Sequence, residues 1–186
     1  MKKKNVISIS GDPAAGKGTV SKLLSEKLSY DIYKNGDYFR KLAKDKNMTL
    51  EEFSDYVALH PEIDKEIEES SKKYAMTHDN FIIDARLGWY SVPESFKIYL
   101  KVDPDVAAKR AYYDQKRKDV ENYPSIAEYK KALKKRFDAE NTRYKKLYNI
   151  DKTDMSVYDL VIDTSDKNIY DIVDEIIEKY AIWHEK

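Results

Sequence analysis

The chain of 186 residues carries 34 Lys and Arg against 34 Asp and Glu, so its formal net charge is zero. This balance argues against general nucleic-acid binding, which needs a basic field to displace counterions. The chain has no cysteine, which excludes disulfides and thiolate metal sites, and it has no apolar run long enough to span a bilayer. We therefore expect one domain over residues 1–186 in a cytoplasmic protein with no membrane partner.

The chain begins with strand and helix patterns in alternation. The β-branched run NVISIS predicts a buried strand that ends near Gly11. Apolar residues then recur at helical spacing from Val20 to Leu28, and residues 30–34 form a weaker strand candidate. The order strand, helix, strand is the beginning of a pattern that continues along the whole chain.

Three helices are predicted next, without a strand between them. The first covers residues 37–46, and the second follows a capping box made by Thr49 and Glu52. Pro61 suits the first turn of the third helix. The stretch of about residues 37–78 therefore reads as a helical insertion beyond the end of a strand.

The second half of the chain returns to alternation. A helix begins near Pro104, a long helix covers residues 125–148, and an apolar stripe from Ile169 to Tyr180 marks the last helix. The remaining strand patterns are, in chain order, NFIID, FKIYLKV and YDLVIDTS. A charged segment of about residues 111–125 has no apolar period and reads as a second excursion from the sheet.

These patterns together predict an α/β domain. Strands that alternate with helices favour a parallel sheet covered on both faces, here with five strands flanked by helices. Open sheets of this kind bind ligands beyond the carboxyl ends of their strands, where both excursions lie. We therefore expect a ligand site at that edge.

The segment GDPAAGKG, residues 11–18, fits the pattern G-x-x-x-x-G-K of a phosphate-binding loop (P-loop) and lies between a strand and a helix. Its glycines let backbone N–H groups turn inward, and the helix N-terminus adds partial positive charge. The alternative is a Gly-rich turn with a solvent-facing lysine. The pattern predicts a P-loop NTPase fold whose ATP-binding residues are Gly11, Asp12, Pro13, Ala14, Ala15, Gly16, Lys17, Gly18 and Thr19.

A magnesium ion is expected with the ATP. Gly18 stands where a Ser or Thr hydroxyl usually binds Mg²⁺, and the hydroxyl comes one place later, at Thr19. Asp84 closes an apolar strand and could hold the ion through water. The alternative for Asp84 is a cap on the following turn. Thr19 and Asp84 are thus the predicted indirect metal residues.

Two further motifs carry a family resemblance. NGDYFR (35–40) and DARLGW (84–89) resemble signatures of the nucleoside monophosphate kinases, although Ala85 replaces the usual glycine. Nearly the whole chain is similar to the cytidylate kinases, in particular the compact type described from archaea. The resemblance implies transfer of the ATP γ-phosphoryl group to CMP or dCMP, with 37–78 as the acceptor-binding insertion and 111–125 as a short lid.

The resemblance implies that Arg40 and Arg86 hold the phosphate of the acceptor nucleotide. Two guanidinium groups are chemically sensible, because they fix a dianion beside a second, equally charged nucleotide. The alternative for each is a surface arginine paired with a neighbouring acid. Lys17, Arg86 and Arg110 are the expected catalytic residues, and Arg117 is a weaker lid candidate than Arg110.

Glu140 interrupts the apolar stripe of the long helix and lies between Arg136 and Arg143. Spacing alone leaves two interpretations open: these side chains face a polar pocket, or they pair along a solvated edge. The resemblance favours the first and assigns all three to the acceptor nucleotide. Glu140 or Asp37 would then accept a hydrogen bond from the cytosine amine.

Two rival functions remain at this stage. One is another kinase of the same fold, such as an adenylate kinase or a shikimate- or gluconate-type kinase. The other is a nucleotide switch that binds a partner, but a switch needs no grip on an acceptor phosphate. We expect a monomer whose partners are ATP and CMP or dCMP, with Mg²⁺ as cofactor and without nucleic acid.

Overall fold

A computed structural model of the protein describes residues 4–114 and 123–185. Its centre is a five-stranded parallel sheet with the strand order β2-β3-β1-β4-β5. The strands are β1 (Val6–Gly11), β2 (Asp31–Lys34), β3 (Phe81–Asp84), β4 (Phe96–Lys101) and β5 (Leu160–Asp163). The predicted α/β architecture with five parallel strands is confirmed.

Helices connect these strands. They are α1 (Lys17–Leu28), α2 (Asn35–Asp45), α3 (Leu50–Leu59), α4 (Pro61–Thr77), α5 (Gly88–Ser91), α6 (Pro104–Tyr113), α7 (Ile126–Tyr148) and α8 (Ile169–Glu185). The four-residue helix α5 and a 3₁₀ turn at Met155–Val157 had no sequence signal, because neither is long enough to show a period.

The main core lies between the sheet and the helices that cover it. Strand β1 is central, and its Val6, Ile7 and Ile9 have no exposed surface, as expected for a strand buried on both faces. These strand residues pack with side chains such as Leu24 of α1 and Ile176 of α8. The central strand is therefore held rigidly at the point where the phosphate-binding loop leaves it.

The segment between β2 and β3 forms three helices with a small apolar cluster of their own, around Ala43, Phe53 and Val57. The predicted capping box is present: the Thr49 side chain accepts from the Glu52 N–H, and the Glu52 carboxylate accepts from the Thr49 N–H. Helix α2 begins at Asn35 rather than 37, a difference within the usual uncertainty of helix ends.

The predicted lid lies largely outside the described residues. Helix α6 continues through Tyr113, and the description resumes at Tyr123, just before α7. Arg117 falls in the gap. Within the two described ranges, no helix is both long enough and apolar enough to cross a membrane.

Candidate active site

A cleft with a volume of about 760 Å³ lies at the carboxyl ends of β1, β2 and β3, the edge where the sequence predicted a ligand. This volume is typical of small-molecule sites. Two parts of its wall are named here after the roles predicted for them: the donor side, formed by residues 13–19 and Arg110, and the acceptor side, formed by Arg40, Arg86 and Arg136. Asp84 lies in the same wall.

Two glycines of the loop, Gly11 and Gly16, occupy positions where a side chain would be unfavourable. Gly11 has φ +153°, and a Cβ there would lie 2.4 Å from the Leu100 carbonyl oxygen, so β4 leaves no room for a side chain. Gly16 has φ +87°, a left-handed conformation that glycine adopts without strain. It caps α1, which begins at Lys17. The loop is thus held against β4 at one end and opens into a helix N-terminus at the other.

Asp12 fastens the loop to β4 and to the residue that follows it. Its Oδ1 accepts a hydrogen bond from the Tyr99 hydroxyl at 2.6 Å, and its Oδ2 accepts from the Val102 N–H at 3.0 Å. Neither Gly11 nor Asp12 lies in the cleft wall. These two residues anchor the loop to β4, and their direct contact with ATP stays a prediction. No sequence signal pointed to Tyr99 as the partner of Asp12.

Lys17 lies over the loop. Its Nζ donates to the carbonyl oxygens of Gly11 and Asp12, each at 2.9 Å. Burial lowers the pKa of Lys17 to about 8, although the carboxylate of Asp84 opposes that shift. The lysine is therefore still a cation at neutral pH, and its charge sits among the inward-facing groups of the loop.

Asp84 and Thr19 offer oxygen atoms to the same cleft. Asp84 ends β3 opposite Ile9 of β1, and burial raises the pKa of its carboxyl against the effect of Lys17. In the described part of the chain, no group of three or more His, Asp or Glu side chains could hold a metal by itself. One carboxylate and one hydroxyl fit Mg²⁺ that keeps phosphate and water ligands.

The three arginines of the acceptor side come from separate elements: Arg40 from α2, Arg86 from the turn after β3, and Arg136 from α7. Arg40 Nη2 donates to Asp37 Oδ1 at 2.5 Å, and both side chains are exposed. Asp37 does not line the cleft. Asp37 is thus a partner of Arg40, and its role as a base-reading residue stays a prediction.

Glu140 lies behind the cleft wall. Only 5% of it is exposed, and its Oε2 accepts from Arg86 Nε at 2.6 Å and from Lys152 Nζ at 3.0 Å. Burial alone would raise the pKa of Glu140, but Arg86, Lys152 and Arg136 together hold it well below its usual range. Glu140 therefore pairs with Arg86 and Lys152 behind the cleft wall, and its contact with the base stays a prediction.

Arg143 is also turned away from the cleft. It is buried and forms an ion pair with Asp64 of α4. The next buried acid on that helix, Glu68, accepts a hydrogen bond from the Ser91 hydroxyl. Arg143 joins α7 to the helical insertion through Asp64, and its assignment to the acceptor nucleotide stays a prediction. Asp64 and Glu68 escaped notice, although their i, i+4 spacing on the buried face of α4 was a possible signal.

Arg110 is held by the connection between β5 and α8. Its Nη2 donates to the carbonyl oxygens of Thr164 at 2.7 Å and Ser165 at 3.1 Å, and its Nη1 donates to Thr164 Oγ1 at 3.3 Å. It lines the cleft from α6, on the donor side. Its position is thus fixed by the body of the domain.

Comparison with known proteins agrees with this geometry. The model of the cytidylate kinase-like family matches residues 6–166. The chain is 35% identical to the cytidylate kinase of Archaeoglobus fulgidus, over 95% of this chain and 94% of that one. It is 36% identical to the cytidylate kinase of Methanocella arvoryzae, over 86% and 87%.

The fold is shared more widely. The shikimate kinase of Bacteroides thetaiotaomicron superimposes with a TM-score of 0.62 over 93% of this chain and 96% of that one, at 13% identity. At that identity the likeness shows a common fold and nothing about the acceptor. The family match over most of the chain agrees with the phosphate-binding loop and with the arginine wall, the name used here for Arg40, Arg86 and Arg136. The chain therefore belongs to the cytidylate kinase-like family.

Proposed function

We propose that this protein transfers the γ-phosphoryl group of MgATP to CMP and dCMP, giving ADP with CDP or dCDP. A phosphate oxygen of the acceptor attacks the γ-phosphorus, and the bond from that phosphorus to the β–γ bridging oxygen breaks. The observation that carries the proposal is that a phosphate loop and three arginines line one cleft. The choice of CMP as the acceptor rests on the similarity to the two cytidylate kinases described above.

On the donor side, backbone N–H groups of residues 13–19 and the N-terminus of α1 would bind the ATP phosphates. Lys17 would exchange its carbonyl partners for phosphate oxygens and neutralise charge that develops on the β–γ bridge. Mg²⁺, when bound, neutralises phosphate charge, and Thr19 and Asp84 are the residues that would hold its water shell. Arg110 would approach the transferred group from α6.

On the acceptor side, Arg40, Arg86 and Arg136 would bind the phosphate of CMP. Two phosphate groups that approach for reaction repel each other, and paired guanidinium groups both offset this repulsion and fix the attacking oxygen. Arg86 is the best placed, because Glu140 holds its Nε from behind. Catalysis then consists of positioning and charge neutralisation, with no covalent intermediate on the protein.

The rival kinases differ in what they need at this wall. Shikimate and gluconate present a hydroxyl as the nucleophile, but their carboxylate could also be bound by arginines. The three arginines alone therefore do not separate these acceptors from a nucleotide, and the similarity to cytidylate kinases is what favours CMP. AMP carries the same phosphate as CMP but a larger base. We further propose a monomer that acts in cytoplasmic pyrimidine nucleotide metabolism.

The test is a panel of acceptors. ATP consumption and product identity are measured with CMP, dCMP, UMP, AMP, GMP and shikimate, and the Lys17→Ala variant, purified in parallel, reports any contaminating kinase. CMP and dCMP should show the highest kcat/KM and give the diphosphate. If AMP or shikimate is the best acceptor, the proposed substrate is wrong, whereas the phosphate-loop assignment stands as long as ATP is consumed.

A further inference from the structure

We propose that Lys152, which lies in the connection between α7 and β5, is a positioning residue for the acceptor phosphate. Lys152 contacts Glu140, and Glu140 in turn holds Arg86 in the cleft wall. The positive charge of Lys152 also keeps the net charge of these three residues positive. The inference rests on the proposed function, since it concerns how the acceptor phosphate is held. Lys152 belongs to none of the motifs from which the site was predicted.

The first support is a shared oxygen atom. Arg86 Nε and Lys152 Nζ contact the same atom, Oε2 of Glu140, at 2.6 and 3.0 Å. The Glu140 and Lys152 side chains are each 7% exposed, whereas that of Arg86 is 36% exposed and reaches the cleft. Lys152 and Glu140 are therefore both interior, and Glu140 connects Lys152 to Arg86, which reaches the cleft.

The second support is that the fold holds Lys152 in place. Its N–H donates to Asn141 Oδ1 at 2.9 Å, and Asn141 Nδ2 donates to Asp151 Oδ1 at 3.1 Å, so the connection is fastened to α7. The ammonium group lies 3.6 Å from the centre of the Phe137 ring, a favourable cation–π contact. A lysine fixed at its backbone, its head group and its ring contact is a rigid support for Glu140.

The third support is the charge of the group. Arg86 and Glu140 alone would form a neutral pair, and the carboxylate would compete with the acceptor phosphate for the guanidinium. With Lys152 the three charges sum to plus one. Glu140 takes only the Nε–H of Arg86, and the two Nη groups of the fork are the ones that suit a phosphate. Burying the charges of Lys152 and Glu140 costs free energy, but it leaves the three residues with a net positive charge next to the cleft.

The test compares Lys152→Met with Lys152→Arg by calorimetric titration with CMP, cytidine and a non-hydrolysable ATP analogue. We expect Lys152→Met to weaken CMP about tenfold, a small effect for a charge because Lys152 acts on the phosphate only across Glu140 and Arg86 and the cleft is open to solvent. Cytidine, which lacks the phosphate, and the ATP analogue should bind as they do to the wild type. Lys152→Arg should restore CMP binding.

The matched control is Lys134→Met, which removes one positive charge from an exposed ion pair with Asp138 on α7. It should leave CMP binding unchanged, because exposed charges are screened. A cycle with Glu140→Gln adds a second criterion: if Lys152 acts through Glu140, the double variant should lose less than the sum of the single losses. Should Lys152→Met not fold, Lys152→Gln is judged by the same criteria.

The proposal is overturned if Lys152→Met binds CMP as the wild type does, if it weakens CMP, cytidine and the ATP analogue equally, or if Lys134→Met has the same effect. Additive losses in the cycle would also contradict it. These outcomes leave the proposed function intact as long as the wild type phosphorylates CMP. If the wild type instead binds CMP no better than cytidine, the arginine wall does not hold the acceptor phosphate, and the proposed function and this inference fail together.

Discussion

The donor and acceptor sides of the cleft are built in different ways. The donor side is a continuous segment, residues 13–19, whose shape is fixed by glycine conformations and by the contact of Asp12 with Tyr99. The acceptor side consists of arginines from three separate elements. Behind them lie buried acids, of which Glu140 and Asp64 pair with cations of other elements.

The difference has a physical origin. A triphosphate is bound mainly by backbone N–H groups, and a backbone shape can be encoded in a short sequence. A single acceptor phosphate is bound by side chains, which must be oriented by partners distant in the sequence. The donor side should therefore be sensitive to changes in its own residues, and the acceptor side also to changes in residues that touch no substrate.

The largest expected effect is on the donor side. Lys17→Ala should lower kcat by about 100-fold or more, as expected for the loss of one electrostatic donor in a transition state, while the fold is retained. Steady-state kinetics together with a thermal unfolding curve measure both. Lys27→Ala, which removes an exposed lysine of α1 that does not line the cleft, is the control. A folded Lys17→Ala enzyme with nearly normal kcat would contradict the phosphate-loop assignment.

The buried acids behind the acceptor side should make the free energy of unfolding depend on pH. Burial raises the pKa of Glu68 from 4.5 to about 7, with Asp64 adding to the shift and the Ser91 hydroxyl opposing it. A carboxyl whose pKa is raised in the folded state favours folding below pH 4.5, and this contribution is lost as the pH rises through about 7. Glu68→Gln should therefore be more stable than the wild type at pH 8, by up to about 3 kcal/mol.

Urea unfolding at pH 5 and pH 8 measures this difference, which should shrink at the lower pH. Glu69→Gln is the matched control, since Glu69 is exposed and pairs only with Lys72. Its stability should change little at either pH. A Glu68→Gln variant less stable than the wild type at pH 8 would show that the ionised carboxylate contributes to the fold.

The lowered pKa of Lys17 predicts a pH dependence confined to ATP binding. Burial lowers its pKa and the charge of Arg86 adds to this shift, whereas Asp84, Glu140 and Asp12 oppose it, which leaves a pKa of about 8. Because the charged form binds phosphate, kcat/KM for ATP should fall as the pH rises above about 8, by roughly tenfold per unit.

Saturating ATP should reduce this dependence, since a bound triphosphate favours the protonated lysine. Lys17→Arg, which stays charged, should lose the dependence whatever its absolute activity. A kcat/KM for ATP that is constant up to pH 10 in the wild type would mean that the charge of Lys17 is not required in the free enzyme.

The smallest effect expected is on base selectivity. Because Glu140 contacts Arg86 and Lys152 and is absent from the cleft wall, Glu140→Gln should lower kcat/KM for CMP and UMP to the same extent. Their ratio should change by less than about twofold. A CMP-to-UMP ratio that collapses in this variant would return Glu140 to the role of a base reader.

The sequence was sufficient for the fold and for the position of the loop between β1 and α1, because strand and helix periods, the capping box at Thr49 and the glycines of residues 11–18 are all local signals. The family resemblance, now confirmed, supplied Arg40 and Arg86. The roles of Glu140 and Arg143 were beyond spacing arguments. Their partners, Lys152 and Asp64, lie 12 and 79 residues away, and only packing brings them together.

The central claim, that separate residues hold the donor and acceptor phosphates in one cleft, is tested most directly by calorimetric titration of Arg86→Ala with CMP and with a non-hydrolysable ATP analogue. Loss of a charge-assisted contact, worth about 1.5–3 kcal/mol, should weaken CMP by roughly ten- to a hundred-fold and leave the ATP analogue nearly unchanged. Equal weakening of both ligands would contradict the claim and show that Arg86 serves the donor or the fold.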